Sequence, residues 1–290
     1  MIRYFNIVFI GFMLLTVLSG QASASDETIY HNQNVGSISM GAEMSSGEYG
    51  TANRTTGVYV PVVLTWFPTS RIDLGIEIPY VYQSTSYVTN GTTQTIVPVT
   101  IRGGVRGGRG TTTTSYSTST ATTTGTSDVS ASGIGDLVFR FGVIAYFEND
   151  KIPQLRPSVY VKAPTASDSD GLGTGEFDAG VGIEASKWLG DTHLTGEVFY
   201  NYLGKVPGLE LKDYVNYTAG IGYQITDKLQ PMLLGKGSTP SSSGSDGLLE
   251  IRLRTLWTAT ESTTLDVFVS RGLSDSSPEY GGGAAVIYSF

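Results

Sequence analysis

Ionisable side chains recur at even spacings in several stretches of this chain, and that spacing holds most of its potential chemistry. Asp73 and Glu77, Asp136 and Arg140, Arg156 and Lys162, Glu184, Glu197, and Glu250 with Arg252 and Arg254 all alternate with apolar neighbours, as do Glu43 and Arg71. A period of two puts the charged residues on one face of a β-strand and the apolar residues on the other. Acids and bases gathered around an enclosed interior have two uses. They act as a selectivity ring for a passing solute, or they pair with one another and fill the space.

Other reactive residues are few. His31 lies near the N-terminus and His193 at a predicted turn, neither with a strand-borne serine and acid, so a lipid-acting enzyme is the weakest functional reading. Gly103-Gly104-Val105-Arg106-Gly107 lacks the strand–helix context of a phosphate loop. Asp168-Ser169-Asp170-Gly171 resembles the opening of a calcium loop but lacks the spaced acid that closes one. With Glu176 and Asp178, these acids are expected to form a solvated external rim. No catalytic residue, metal or cofactor is predicted. The absence of cysteine excludes disulfides, thiolate metal sites and a lipoprotein anchor, and a net charge of -8 argues against a nucleic-acid partner.

The elements that would position the charged face are strands. In Arg71 to Tyr82, Ile72, Leu74, Ile76, Ile78, Tyr80 and Tyr82 alternate with Arg71, Asp73, Gly75, Glu77 and Pro79. A soluble sandwich would bury the apolar face, whereas a membrane barrel turns it to lipid and the charges to the lumen. The pattern recurs over 133–147, 155–163, 177–185, 194–202 and 248–258, and more weakly over 35–44, 56–67, 213–225, 229–236, 264–271 and 280–290. The sum is twelve, an even number as bacterial single-chain barrels require. No apolar stretch after the N-terminal one is long enough for a membrane helix.

Loop lengths alternate too. The turns at 68–70, 148–153, 189–192, 226–228 and 259–262 are short, and most of the intervening connections are longer, which puts short turns and both termini on the periplasmic side. Aromatic residues cluster at predicted strand ends: Trp66, Phe67, Tyr146, Phe147, Trp188, Tyr223, Trp257, Tyr288 and Phe290 at one side, and Tyr59, Tyr80, Tyr82, Tyr200, Tyr202 and Tyr280 at the other. Pro61, Pro79, Pro157 and Pro231 conflict with a closed ladder and are expected at the rims. Gln83 to Ser132, with its hydroxyl-rich run Thr111 to Thr126, cannot bury a core. It is expected to shield or gate the mouth, or to be a tolerated insertion with a short hairpin near Thr95 to Ile101.

The ends fit export. Arg3, the apolar run Ile7 to Leu18 and Ala22-Ser23-Ala24 form a cleavable signal peptide over residues 1–24, followed by a periplasmic lead over 25–34 and a barrel over 35–290 with an external loop at 83–132. Tyr288 followed by a terminal Phe290 resembles the C-terminal signal read by the outer-membrane assembly machinery. So short a lead disfavours an autotransporter passenger or a plug domain.

Several short motifs occur in order along most of the chain: Ser45-Ser46-Gly47-Glu48-Tyr49-Gly50-Thr51, Tyr59-Val60-Pro61, Ile78-Pro79-Tyr80, Gly133-Ile134-Gly135-Asp136-Leu137, Lys162-Ala163-Pro164-Thr165, Gly171-Leu172-Gly173-Thr174-Gly175-Glu176 and Arg271-Gly272-Leu273-Ser274-Asp275. Together they resemble the meta-pathway phenol-degradation transporter-like outer-membrane barrels. The resemblance implies a pore or uptake barrel for aromatic or other hydrophobic compounds, with Asp136, Lys162 and Glu176 as lumen or rim polar groups. The Thr-rich loop departs from the family pattern.

The expectation is an all-β, transmembrane, antiparallel up-and-down β-barrel of about twelve strands in the outer membrane of a Gram-negative bacterium. It would contact outer-membrane lipids and the assembly machinery, and would pass a small solute. The competing expectation is a structural or surface-contact barrel that transports nothing. Twelve strands lie between barrels that side chains fill and barrels that leave a channel, so strand number alone leaves both open.

Overall fold

The alternation in the sequence becomes a closed ladder. The structure, a computed structural model, describes residues 34–49, 54–84, 130–168, 170–206, 210–242 and 246–290, and the backbone of four short strands between 92 and 119. The signal peptide, the lead up to residue 33, His31, Gly103–Gly107, Ser169 and most of Thr111–Thr126 lie outside the described residues.

The strands are β1 (Gly36–Gly47), β2 (Thr55–Trp66), β3 (Ile72–Gln83), β4 (Thr92–Ile96), β5 (Ile101–Arg102), β6 (Thr111–Thr112), β7 (Ser115–Ser119), β8 (Ala131–Ile134), β9 (Leu137–Val143), β10 (Gln154–Ala163), β11 (Asp178–Leu189), β12 (Thr192–Tyr202), β13 (Tyr214–Tyr223), β14 (Leu229–Ser238), β15 (Leu249–Thr258), β16 (Thr263–Gly272) and β17 (Tyr280–Ser289). Within the long loop, β4 pairs with β7 and β5 with β6. All the others form one antiparallel sheet in which β1 pairs with both β17 and β2, and β2 pairs with β3, closing the ring. Strands β8 and β9 lie along the same edge of β3 and make one stave, so the barrel has the expected twelve. Closure leaves no unpaired edge, the condition for placing backbone polar groups in hydrocarbon. The start of β1 meets the end of the chain: Gly36 and Phe290 exchange backbone hydrogen bonds of 3.1 and 3.0 Å.

The short turns are built by side chains that the sequence places there. Thr69, Asn149 and Thr260 each accept bonds from two backbone N–H groups just ahead, and Thr226 accepts one. Such local acceptors favour a turn over continued strand. Between β11 and β12 the turn is only Gly190-Asp191, and Gly190 has φ 64, a conformation in which a side chain is strained.

The four prolines correct the expectation that each would lie at a rim. Pro61 sits mid-strand, directly opposite Pro79. The β1–β2 ladder skips Gly41 and Ala42 opposite Pro61 and Val60. On the other side, Tyr80 pairs with Ile134 but Glu77 pairs with Val138, so β8–β9 carries one extra residue opposite Pro79. That is a β-bulge at Gly135-Asp136. Pro157 and Pro231 lie just beyond the ends of the β9–β10 and β13–β14 ladders. Each missing N–H therefore falls where no ladder bond is made.

The outer surface is apolar: Leu64, Ile78, Val181, Ile183, Val198, Ile221, Leu233, Leu253 and Val269 are exposed. Trp66, Tyr146, Tyr223, Trp257, Tyr288 and Phe290 are exposed at the short-turn end, and Tyr80, Tyr82, Tyr200, Tyr202 and Tyr280 at the long-loop end. An apolar band between two aromatic girdles is the exterior of a transmembrane barrel. Tyr59 and Trp188 do not belong to the girdles. Tyr59 is buried on the face shared with Thr55, Gly57 and Thr65, and Trp188 turns inward to stack on His193 at 4.5 Å. The strict alternation of their strands overrides the preference of their rings for the interface.

Leu253, at the middle of β15, tests the lipid-facing assignment. Leu253→Arg is expected to destabilise the barrel by ~2–4 kcal/mol in phospholipid vesicles, read as a lower urea midpoint for loss of the fast-migrating folded band. An unchanged midpoint would contradict the assignment.

Candidate functional site

The inward face gathers the alternating charges into a ladder of ion pairs. Lys162 on β10 lies between two carboxylates, its Nζ 3.0 Å from Asp136 Oδ2 and 2.6 Å from Asp178 Oδ2. The bulge explains the placement of Asp136, whose Oδ1 accepts bonds from the backbone N–H groups of Thr165 and Ala166, both at 2.9 Å. Nearer the short-turn end, Arg156 donates Nε and Nη2 to the two oxygens of Asp73 at 2.9 and 2.5 Å, with Glu184 Oε2 3.8 Å from Nη1. To reach Asp73 the guanidinium crosses β9 over Gly142, where a Cβ would stand 2.2 Å from Arg156 Nη2. Any larger residue there would push the arginine off the wall.

Three more sets complete the ladder. Arg140 Nη1 is 2.5 Å from Glu77 Oε2, and the other Glu77 oxygen accepts the Tyr59 hydroxyl. Arg252 donates Nε to Glu250 at 2.9 Å, has Nη2 3.4 Å from Glu43, and lies 3.8 Å over the ring of Phe268. Arg254 binds both oxygens of Asp266. Arg156, Arg252 and Arg254 are each only 1% exposed. Burying a charge costs several kcal/mol, and bidentate or twofold carboxylate pairing offsets it.

All eleven lumen candidates from the sequence (Asp73, Glu77, Asp136, Arg140, Arg156, Lys162, Glu184, Glu197, Glu250, Arg252 and Arg254) are buried. The structure joins them into pairs, except that Glu197 keeps an oxygen with no partner. Of the rim acids, Asp168, Asp170 and Glu176 are exposed, while Asp178 faces the lumen at 4% exposure. Among the described residues no three His, Asp or Glu side chains are grouped to hold a metal. Tyr288 and Phe290 stack with ring centres 6.4 Å apart on the exterior. Asp266 and Lys236 are inward residues that the sequence reading passed over. Alternation in 264–271 points to Asp266, but in β14 Met232 and Leu234 share the inward face with Lys236 and blur the pattern.

Between the charges lie neutral and apolar patches. Tyr160 donates to Asn201, which donates to Asn216. Val63, Val138, Ile144, Tyr160 and Phe199 form one apolar cluster and Met232, Leu234 and Leu256 another. Phe199 lies flat against the wall over Gly182, where a Cβ would come within 2.3 Å of the ring. At the long-loop end a cavity of about 50 Å³ is lined by Glu43, Ser45, Tyr49, Gln83, Glu250 and Ser270. It has room for one or two water molecules. Burial pushes the Tyr49 hydroxyl above its ordinary range, so it stands there as a neutral donor, bonded to Ser45.

The ion pairs are expected to be costly to break and cheap to replace. Asp266→Ala alone should lower unfolding stability by about 3–5 kcal/mol, while Arg254→Met with Asp266→Leu should recover most of that loss. Urea unfolding of both proteins in vesicles checks this, and equal losses would contradict it.

The sequence profile of a family described as "Putative MetA-pathway of phenol degradation" matches residues 49–290. No curated protein matches the sequence. Among solved structures, an outer membrane channel from Pseudomonas putida F1 is similar at a TM-score of 0.62 and 14% identity, over 93% of this chain and all of that one. The KdgM porin is similar at 0.49 and 8% identity, over 88% of this chain and 99% of that one. The P. putida toluene transporter TodX is similar at 0.43 and 8%, over 91% and 92%. With its profile spanning most of the sequence and its twelve staves closed into a barrel, the chain belongs to the family of the putative MetA-pathway of phenol degradation.

Proposed function

We propose that the protein is an outer-membrane channel through which small solutes diffuse passively, with the short turns and both chain ends periplasmic and the long loops outside. One observation carries the reading. Gln154 Nε2 and Oε1, Ser158 Oγ, His193 Nε2, Glu197 Oε1 and Lys236 Nζ are buried on the lumen face without protein partners. Each such atom costs about 1–3 kcal/mol in a sealed interior. An interior that served only to hold the wall apart would be more stable with apolar groups there. The cost is recovered when the interior admits water or a solute beside these atoms. These atoms run from the short-turn end at Gln154 and His193 toward the long-loop end at Lys236.

The two apolar clusters beside this polar track suit solutes with an aromatic or hydrophobic part, and the family's phenol-degradation description points the same way. No reaction is proposed. The ring of His193 lies on Trp188 with Nδ1 3.3 Å from Gln230 Nε2, which is no nucleophile activation site. A second reading, a barrel that transports nothing, is favoured by the near-complete burial of Arg156, Arg252 and Arg254.

Planar-bilayer recording on the refolded protein separates the two. A channel shows discrete conductance steps and, in a KCl gradient, a reversal potential that shifts toward cations in the Arg252→Ala, Arg254→Ala double variant. Absence of conductance, together with no solute entry into proteoliposomes, would establish the non-transporting barrel.

A further inference from the structure

Among the buried lumen cations of the described residues, Lys236 alone has no carboxylate within ion-pair distance. It is 2% exposed and its Nζ has no hydrogen-bond partner. Arg252, though paired through Nε and Nη2, leaves Nη1 without a partner. Lys236 is opposite Glu250, and Leu234 is opposite Arg252, so Lys236 and Arg252 are diagonal neighbours on the inward face of β14 and β15. At that spacing two long side chains reach one another's surroundings. Their spare donors belong to neighbouring positions on the same inward face.

In the other direction along the wall, Thr218 is opposite Lys236 and Glu197 is opposite Thr218. Glu197 therefore stands two strands away, about 10 Å at the ordinary inter-strand spacing. Its Oε1 is likewise buried and without a partner. A cationic group and an acid, each with an atom lacking a protein partner, thus lie on the same inward face with only a threonine between them. Directly adjoining, Glu43 and Glu250 both hold Arg252 and line the cavity at the long-loop end.

We propose that Lys236 with Arg252 Nη1 and Glu197 form a subsite for a small zwitterion, the solute's carboxylate resting on the first pair and its ammonium on Glu197. The inference rests on the channel reading and names a class of solute for it. Charge balance decides between a zwitterion and a simple anion. Among the described residues, eight buried carboxylates stand against six buried cations in the interior. An anion entering meets that excess of negative charge, and a cation leaves Lys236 without a partner. A solute carrying both charges has no net Coulomb barrier and satisfies both ends.

The test compares entry of labelled L-alanine, lactate and glycerol, similar in size, into proteoliposomes holding the full refolded protein. Alanine entry relative to glycerol should exceed lactate entry relative to glycerol. Lys236→Gln and Glu197→Gln should each lower the alanine-to-glycerol ratio about tenfold, roughly the factor of one charge-assisted hydrogen bond, and Lys236→Arg should keep most of it. On the unaltered protein, excess unlabelled alanine should saturate labelled alanine entry, so the subsite is tested even where a variant fails to fold. Glycerol entry with an unchanged ratio in the folded variants, or with no saturation, overturns the subsite alone. No glycerol entry at all overturns the channel reading and the subsite with it.

Discussion

Closure of the backbone ladder is the constraint on which the rest of this structure depends. In hydrocarbon no water pairs with a free N–H or C=O, so each stave must bond to a neighbour on both sides. The contacts of β1 with β17 and of β2 with β3 complete the ring. The prolines show how tightly the requirement is met. Pro61 and Pro79 face each other in one pair, and their absent donors point outward to a gap in one adjoining ladder and a bulge in the other. The bulge then acquires a second use. It turns Asp136 toward Lys162 and the backbone of the following loop.

Closure also dictates the interior. With apolar residues committed to the outside, polar and charged residues at the alternate positions are enclosed, and the barrel is narrow enough that they meet. Pairing is the only inexpensive state for them. Arg156 reaches Asp73 across a whole strand because Gly142 leaves room, and Phe199 lies flat because Gly182 does the same. Bulk is therefore spread along the wall instead of across the lumen. Among the described residues, the atoms left unpaired at Gln154, Ser158, His193, Glu197, Lys236 and Arg252 Nη1 stand against a background of paired charges. That contrast supports the proposed passage.

Much of this was legible beforehand. Twelve alternating segments matched the twelve staves, because a period of two combined with charges on one face has few other physical outcomes. The inward set from Asp73 to Arg254 followed from the same parity. Tyr59 and Trp188 were misjudged because their residue type suggested the interface while their parity pointed inward. Asp178, grouped with the external rim although the parity of its strand also turns it inward, lies at the top of a strand whose inward face brings it to Lys162. Lys236 was obscured because Met232 and Leu234 face inward beside it, so β14 lacks a clean division between oily and polar faces.

Periodicity, being a local property of the chain, determined the strand type, the number of strands, the in–out sense of nearly every residue and hence a membrane barrel. Partnership was decided only by the tertiary structure. Which acid meets which base depends on register and tilt around a closed ring, and those bring Asp73 to Arg156 across 83 positions of sequence and Glu43 to Arg252 across 209. No spacing along the chain encodes such distances. The residues left without partners, on which passage is argued, are defined only once all the other pairings have been made.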